Sequence, residues 1–264
     1  MKINKEEYLL HLRDQEEIKA MRRLLDLIEI TINRHCITYT DFFEPNLVEA
    51  SKSILNRFDE ISYSIDGGFE NAERKIISIY SWYYFYEEKD LPLRALEIKG
   101  NIDNLDHRDV LGSLLGLGIV REKIGDIGFF PDSIRLVAST DISTFILYNL
   151  NKIKHENVTI KEIPLADLGN IIIEGYEKEV ILSSLRLDQL VAEAYNLSRS
   201  DAQKLISSRL VKVNFSTEEK GHKTLEEGDL VSVRRKGRFK IKEINGFTKK
   251  GRIKAKFFYP SRDR

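Results

Sequence analysis

Between Leu93 and Ile163 the hydrophobic pattern alternates between strand and helix spacing, and the order of that alternation limits the fold more than any other feature of the chain. Leu93 to Ile98 reads as a strand. His107 to Leu117 has helical spacing, with Asp106 placed to cap it. Asp126 to Phe130 is a strand, Pro131-Asp132 a turn and Ser133 to Ala138 a further strand. Asp141 to Ile153 reads as a helix and Val158 to Ile163 as the last strand. The order β-α-β-β-α-β predicts the split βαβ, ferredoxin-like sheet that also underlies the RRM. Unrelated activities share that fold, so it selects none of them. The aromatic signature with which an RRM stacks bases is not evident, although Phe129 and Phe130 occupy a strand position.

The remainder predicts an α+β, multidomain chain of three pieces: residues 1–85, residues 86–170 and residues 181–264. In the first, Leu9, Leu12, Ile18, Met21, Leu24, Leu25 and Ile28 mark one or two amphipathic helices, and Pro45 opens another through Phe58. Ile61 to Ile65 and Ile76 to Tyr80 are candidate strands around an Asp66-Gly67-Gly68 turn. The run Trp82-Tyr-Tyr-Phe-Tyr86 reads first as core or interface packing, with base stacking as the minority alternative. Residues 164–182 form a connector that carries a strand.

With 42 basic and 42 acidic side chains, the chain is neutral overall, but the charge is unevenly divided. Residues 181–264 hold 20 basic and 10 acidic side chains, and residues 1–180 hold 22 and 32. Such asymmetry points to a segment for nucleic acid or a membrane surface. A lone cysteine, Cys36, excludes a disulfide framework or thiolate metal site, and the histidine spacing suits no helix-borne zinc site. No metal, cofactor or catalytic residue is expected. The first residues lack the apolar core of a secretory signal, and the most apolar stretch, Val110 to Val120, falls short of the ~20 residues of a bilayer span. A cytoplasmic, membrane-free protein is the expectation.

The basic third piece has its own pattern. Leu187, Leu190, Val191 and Ala194 mark a short helix; Ser198, with Asp201 three residues later, starts a second through Ala202, Leu205 and Ile206. Strands follow at Leu210 to Val213 and Leu230 to Val233. The string Arg186-Leu187-Asp188, Ser198-Arg199-Ser200, Leu205-Ile206, Val211-Lys212-Val213-Asn214 and Gly228-Asp229 resembles the S4 RNA-binding domain. Two positions depart from it. Arg209 stands where the family often has Gly before the strand, and Phe215 where Gly often follows the Asn.

The S4 resemblance implies a two-helix face that binds structured RNA, and onto it map Arg186, Arg199, Lys204 and Arg209, with Lys212 at the edge. Long cations on a small rigid platform suit phosphate contacts, which orient RNA without reading its sequence. Arg186 has a rival role, pairing with Asp188. The tail beyond is basic at Arg234, Arg235, Lys236 and Arg238 and again from Lys249 to Lys256, with Phe239 and Phe247 interleaved and only weak apolar alternation. In the middle piece Arg108, Arg121 and Lys123 are the candidate contacts.

S4 domains occur in several enzymes. This chain lacks the catalytic Asp setting of pseudouridine synthases, the ATP signature of tyrosyl-tRNA synthetases and the Gly-rich loop of methyltransferases. His107-Arg108-Asp109 has no kinase context around it. The segment from Leu105 to Ile127, together with Asp41-Phe-Phe-Glu-Pro45, Asp66-Gly-Gly68 and the carboxyl-terminal S4 pattern, resembles the bacterial YlmH family. That resemblance implies a non-enzymatic factor on the large (50S) ribosomal subunit. It would bind rRNA and tRNA there and act in quality control of stalled nascent chains, with quality-control or cell-division proteins as partners. Two alternatives stay open: an RNA-modifying enzyme using Asp109 or His107, and a cell-division interaction protein that docks through its acidic region.

Overall fold

In the computed structural model, which describes residues 2–10 and 12–260, the chain separates after Ile172 into two units. The first opens with α1 (Lys5–Leu9) and α2 (Gln15–Arg34). The Asp14 carboxylate accepts the Glu16 and Glu17 amides and starts α2, and His35, in the left-handed region at φ 51°, ends it. Next come β1 (Thr38–Tyr39), α3 (Pro45–Leu55), β2 (Ile61–Asp66) and β3 (Ile76–Ser81). The strands form an antiparallel sheet in the order β1-β3-β2. Leu24, Leu25 and Ile28 of α2 bury against Ile54, Leu55, Ile77 and Ile79.

The chain continues through β4 (Leu93–Gly100), α4 (His107–Gly116), β5 (Ile124–Phe129), β6 (Ile134–Ser139), α5 (Thr140–Asn149), β7 (Lys152–Ile153) and β8 (Glu156–Ile163). The sheet order is β5-β6-β4-β8-β7, antiparallel throughout. Its first four strands have the ferredoxin-like arrangement that the sequence order predicts. Several boundaries shift by one or two residues, and the largest difference is at α5, which ends at Asn149, not Ile153. Lys154 takes a positive φ of 54°, and the Asn151 carbonyl accepts the Val158 amide, so residues 152–157 fold back as a hairpin.

Alternation along the strands sends Leu96, Ile98, Leu136 and Ala138 toward α4 and α5. It sends Leu93, Ala95 and Val137 to the opposite face, where they bury with Phe42, Phe69, Ala72, Ile76 and Leu168. The amino-terminal piece therefore shares a core with the ferredoxin-like sheet. Arg74 pins the joint: its guanidinium donates to the carbonyls of Ile124 (3.1 Å), Phe42 (3.1 Å) and Arg121 (3.4 Å).

The second unit begins with β9 (Gly175–Leu182), then α6 (Leu187–Tyr195), α7 (Arg199–Ser207), β10 (Val211–Val213), β11 (Ser216–Thr217), β12 (Leu230–Val233), β13 (Gly237–Phe247) and β14 (Ile253–Pro260). Its sheet runs β11-β10-β12-β13-β14-β9. Leu187, Leu190 and Val191 of α6 and Ala202 and Ile206 of α7 bury against one face, with Val211, Val231, Val233, Phe239, Ile241 and Phe257. The weakly alternating basic tail is thus two long strands of that sheet. Phe239 is fully buried, stacked on Phe257 at 4.7 Å between ring centroids, and is not an interleaved surface aromatic; Phe247 is exposed.

Candidate nucleic-acid interface

The helix pair of the second unit is organised by one buried carboxylate. Asp188, in the first turn of α6, has a side chain only 5% exposed. Arg186 Nε and Nη2 donate to its two oxygens at 3.2 and 2.8 Å. Arg199, the first residue of α7, donates from Nε and Nη2 to Asp188 Oδ2 at 3.1 and 3.0 Å. Burial pushes the Asp188 pKa up, but the bonds from Arg186 and Arg199 outweigh it and hold the carboxyl below its usual range. Two cations against one anion leave a net positive charge, and both guanidinium groups keep an exposed side. The rival role for Arg186, pairing with Asp188, is present in the structure.

The other helix-face residues are more loosely held. Lys204 is exposed and pairs with Asp201 at 3.0 Å, and the Ser198 hydroxyl caps α7 by accepting the Asp201 amide. Arg209 lies 3.6 Å from Glu219. Lys212 and Arg238 share a cross-strand row through Ser232.

The two departures from the S4 pattern sit where glycine would be easiest. Arg209 has φ 59° and Phe215 φ 69°, both left-handed. Asn214, also left-handed, ties its turn to the next: its side-chain amide donates to Asp229 Oδ1 at 2.7 Å, and its Oδ1 accepts the Leu230 amide at 2.9 Å. The spacing of Asn214 and Gly228-Asp229 thus encodes a brace between neighbouring turns.

Cations without acidic neighbours concentrate beyond this motif. Among the described residues, Arg234, Arg235 and Lys236 in the β12–β13 turn form no side-chain ion pair. Lys249, Lys250 and Arg252 in the β13–β14 turn, and Lys240 and Lys254 on the strands, form none either. Lys242 and Lys256, by contrast, are paired with Glu177.

The middle-piece candidates divide. Arg108 is exposed at the start of α4 and lines a shallow groove of about 480 Å³ with Gly112, Asn149, Asn151, Lys152 and Lys154. Arg121 is turned inward. Its Nη1 donates to the carbonyls of Ile124 (2.6 Å) and Gly125 (3.1 Å), and burial beside Arg74 lowers its pKa to about 10. Lys123 is held between Asp41 (3.0 Å) and Asp141 (2.7 Å). In the structure nearby carbonyls and carboxylates take donors of both cations, which stay partly exposed.

His107-Arg108-Asp109 is a helix start. Asp109 accepts the Asp106 amide at 2.9 Å while Asp106 accepts the Asp109 amide, closing a capping box, and Lys154 pairs with Asp109 at 2.6 Å. Burial works to raise the Asp109 pKa, but Lys154 and the Asp106 amide hold it below the usual carboxylate range.

Three family models match successive stretches of the chain. Residues 16–84 match the family model described as "YlmH, N-terminal", residues 87–167 the one described as "Putative RNA-binding domain in YlmH", and residues 185–231 the S4 domain. A curated relative from Bacillus subtilis (strain 168), named ribosome-associated protein quality control protein P2, is 30% identical over 245 residues, covering 92% of this chain and 95% of the relative. The chain belongs to the YlmH family. A solved structure described as cell division protein ylmH from Streptococcus pneumoniae, 21% identical, covers 59% of this chain and 95% of its own with a TM-score of 0.53, which supports the fold. The YlmH chain carries its S4 match at the braced helix pair, and β9, β13 and β14 lie outside the matched residues. Among the described residues, no helix is long and apolar enough to cross a membrane.

Proposed function

We propose that this YlmH protein is a non-enzymatic, cytoplasmic RNA-binding factor. Its second unit would grip rRNA on the 50S subunit and steady a bound tRNA during quality control of stalled nascent chains. The observation that carries this reading is two groups of cations that form no ion pair among the described residues, Arg234, Arg235 and Lys236 in the turn before β13 and Lys249, Lys250 and Arg252 in the turn at its other end, in the same unit as the Arg186–Asp188–Arg199 platform. Such side chains displace the counterions condensed on RNA phosphates, and the paired arginines set the orientation. The Bacillus subtilis relative's name supports the ribosomal setting. Contacts, not chemistry, would do the work: Asp109, a catalytic candidate, is engaged in its helix cap and by Lys154.

The test is co-sedimentation with purified 50S subunits. Charge reversal of Arg199 and Lys204 together, and separately of Arg234, Arg235 and Lys236, should each reduce the bound fraction. Unchanged sedimentation of both variants would remove the second unit from the account. Loss of an rRNA modification in a deletion strain would favour an enzyme instead.

A further inference from the structure

β3 ends at Ser81, and the chain then crosses the surface as Trp82-Tyr83-Tyr84-Phe85. The run was expected to pack in a core or an interface within the fold, but Trp82, Tyr83 and Phe85 are 66%, 60% and 82% exposed. A soluble protein rarely presents so many large rings together without a partner for them. The first two rings are also held in place. The Tyr83 hydroxyl is hydrogen-bonded to His35 Nδ1 at 3.0 Å, and Trp82 meets Tyr83 edge-on at 5.7 Å between centroids. Beneath them Tyr86 stacks on Tyr80 at 4.7 Å and donates to the Ser78 hydroxyl at 2.7 Å. Tyr84 donates to Asp90 at 3.2 Å, and the same carboxylate accepts the Glu87 amide at 3.0 Å.

The charge around these rings argues against a nucleic acid. The Trp82 amide donates to the carbonyl of Glu60, whose exposed side chain neighbours that of Asp59. Glu87 and Asp90 follow the rings along the chain; Lys89 pairs with Glu87 at 2.5 Å, Arg34 lies at the end of α2 next to His35, and Arg57, close to Asp59, is engaged by Glu7 and the Tyr8 ring. Residues 1–180 as a whole carry ten more acidic than basic side chains. A phosphate backbone would be repelled where a base would have to stack.

We propose that Trp82, Tyr83 and Phe85, with Glu60 and Glu87, dock an extended arginine-rich segment of a basic partner protein. The guanidinium planes lie on the exposed rings and the carboxylates take their donors. This interaction is independent of the RNA contacts proposed for the second unit.

Trp82 is the only tryptophan in the chain, so its emission reports the site directly in the intact protein. An alternating Arg-Gly peptide should shift or quench Trp82 fluorescence saturably and bind more tightly than the Lys-Gly peptide of equal length. An alternating Glu-Gly peptide should have no effect. The double variant Tyr83→Ala/Phe85→Ala, which keeps the reporter and alters only exposed rings, should weaken the Arg-Gly peptide roughly 5-fold or more while thermal melting is unchanged. Equal affinity for the variant would overturn the proposal, as would a Trp82 response to oligouridylate but not to the Arg-Gly peptide. Silence of Trp82 toward every probe, or a concentration-dependent shift of the protein alone that marks a second copy, would overturn it too.

Discussion

Replacing Asp188 by Asn would leave the Arg186 and Arg199 guanidinium groups facing each other across a neutral amide. Because both arginines keep a solvated side, the expected loss is about 1–3 kcal/mol of stability in the second unit rather than the full cost of a buried ion. The effect has a pH signature. The folded pKa of Asp188 lies below its unfolded value, so its stabilisation is complete above about pH 4 and fades as pH falls through the folded value. Melting curves from neutral pH downward should show that acid loss in the native chain, and Asp188→Asn should flatten it. Arg209 offers the opposite separation. Its left-handed φ of 59° strains a non-glycine residue, so Arg209→Gly should leave stability unchanged or raise it by up to ~1 kcal/mol. The same change should weaken RNA binding by removing a cation. A substitution that stabilises yet binds less would show that the charge, and not the turn, is what Arg209 supplies.

At the scale of elements, the S4 helices and the ferredoxin-like order were legible because each apolar position kept one period. The strands β13 and β14 were not. Their outward positions hold Arg238, Lys240, Lys254 and Lys256, and their inward ones Phe239, Ile241, Ala255 and Phe257, so the cations hid an alternation that was there. The bulge between Ile241 and Glu243 interrupts it further. Phe239 is accordingly a core residue, and Phe239→Ala should cost about 3–5 kcal/mol, read by denaturant unfolding. The bonds of Arg121 and Lys123 within the fold were equally hidden, since Asp41, Asp141 and the accepting carbonyls reach them only once the strands are assembled. The aromatic run failed in the other direction: its composition suggested packing, and only the fold leaves it at the surface.

Across the whole molecule, the ferredoxin-like sheet does not offer the open face with which an RRM stacks bases. Phe42, Phe69 and Leu168 cover Leu93, Ala95 and Val137 there, and the rest of the face is charged, with buried Glu97 3.0 Å from Lys161 and 3.6 Å from Arg135. Arg74→Met would remove the donors that tie Phe42 to Ile124 and Arg121 and should destabilise the first unit by about 2–4 kcal/mol, seen as a lower melting temperature. The proposed RNA contacts are therefore those of the second unit and of exposed cations such as Arg108, which lies within the residues 87–167 that match the putative RNA-binding domain model. The most direct test is the salt dependence of 50S binding by the full chain. If Arg234, Arg235 and Lys236 each meet a phosphate, replacing all three with Gln should lower the log–log slope by roughly 2–3, at ~0.7–0.9 per contact. A slope that the triple variant leaves unchanged would contradict an RNA grip built on those cations.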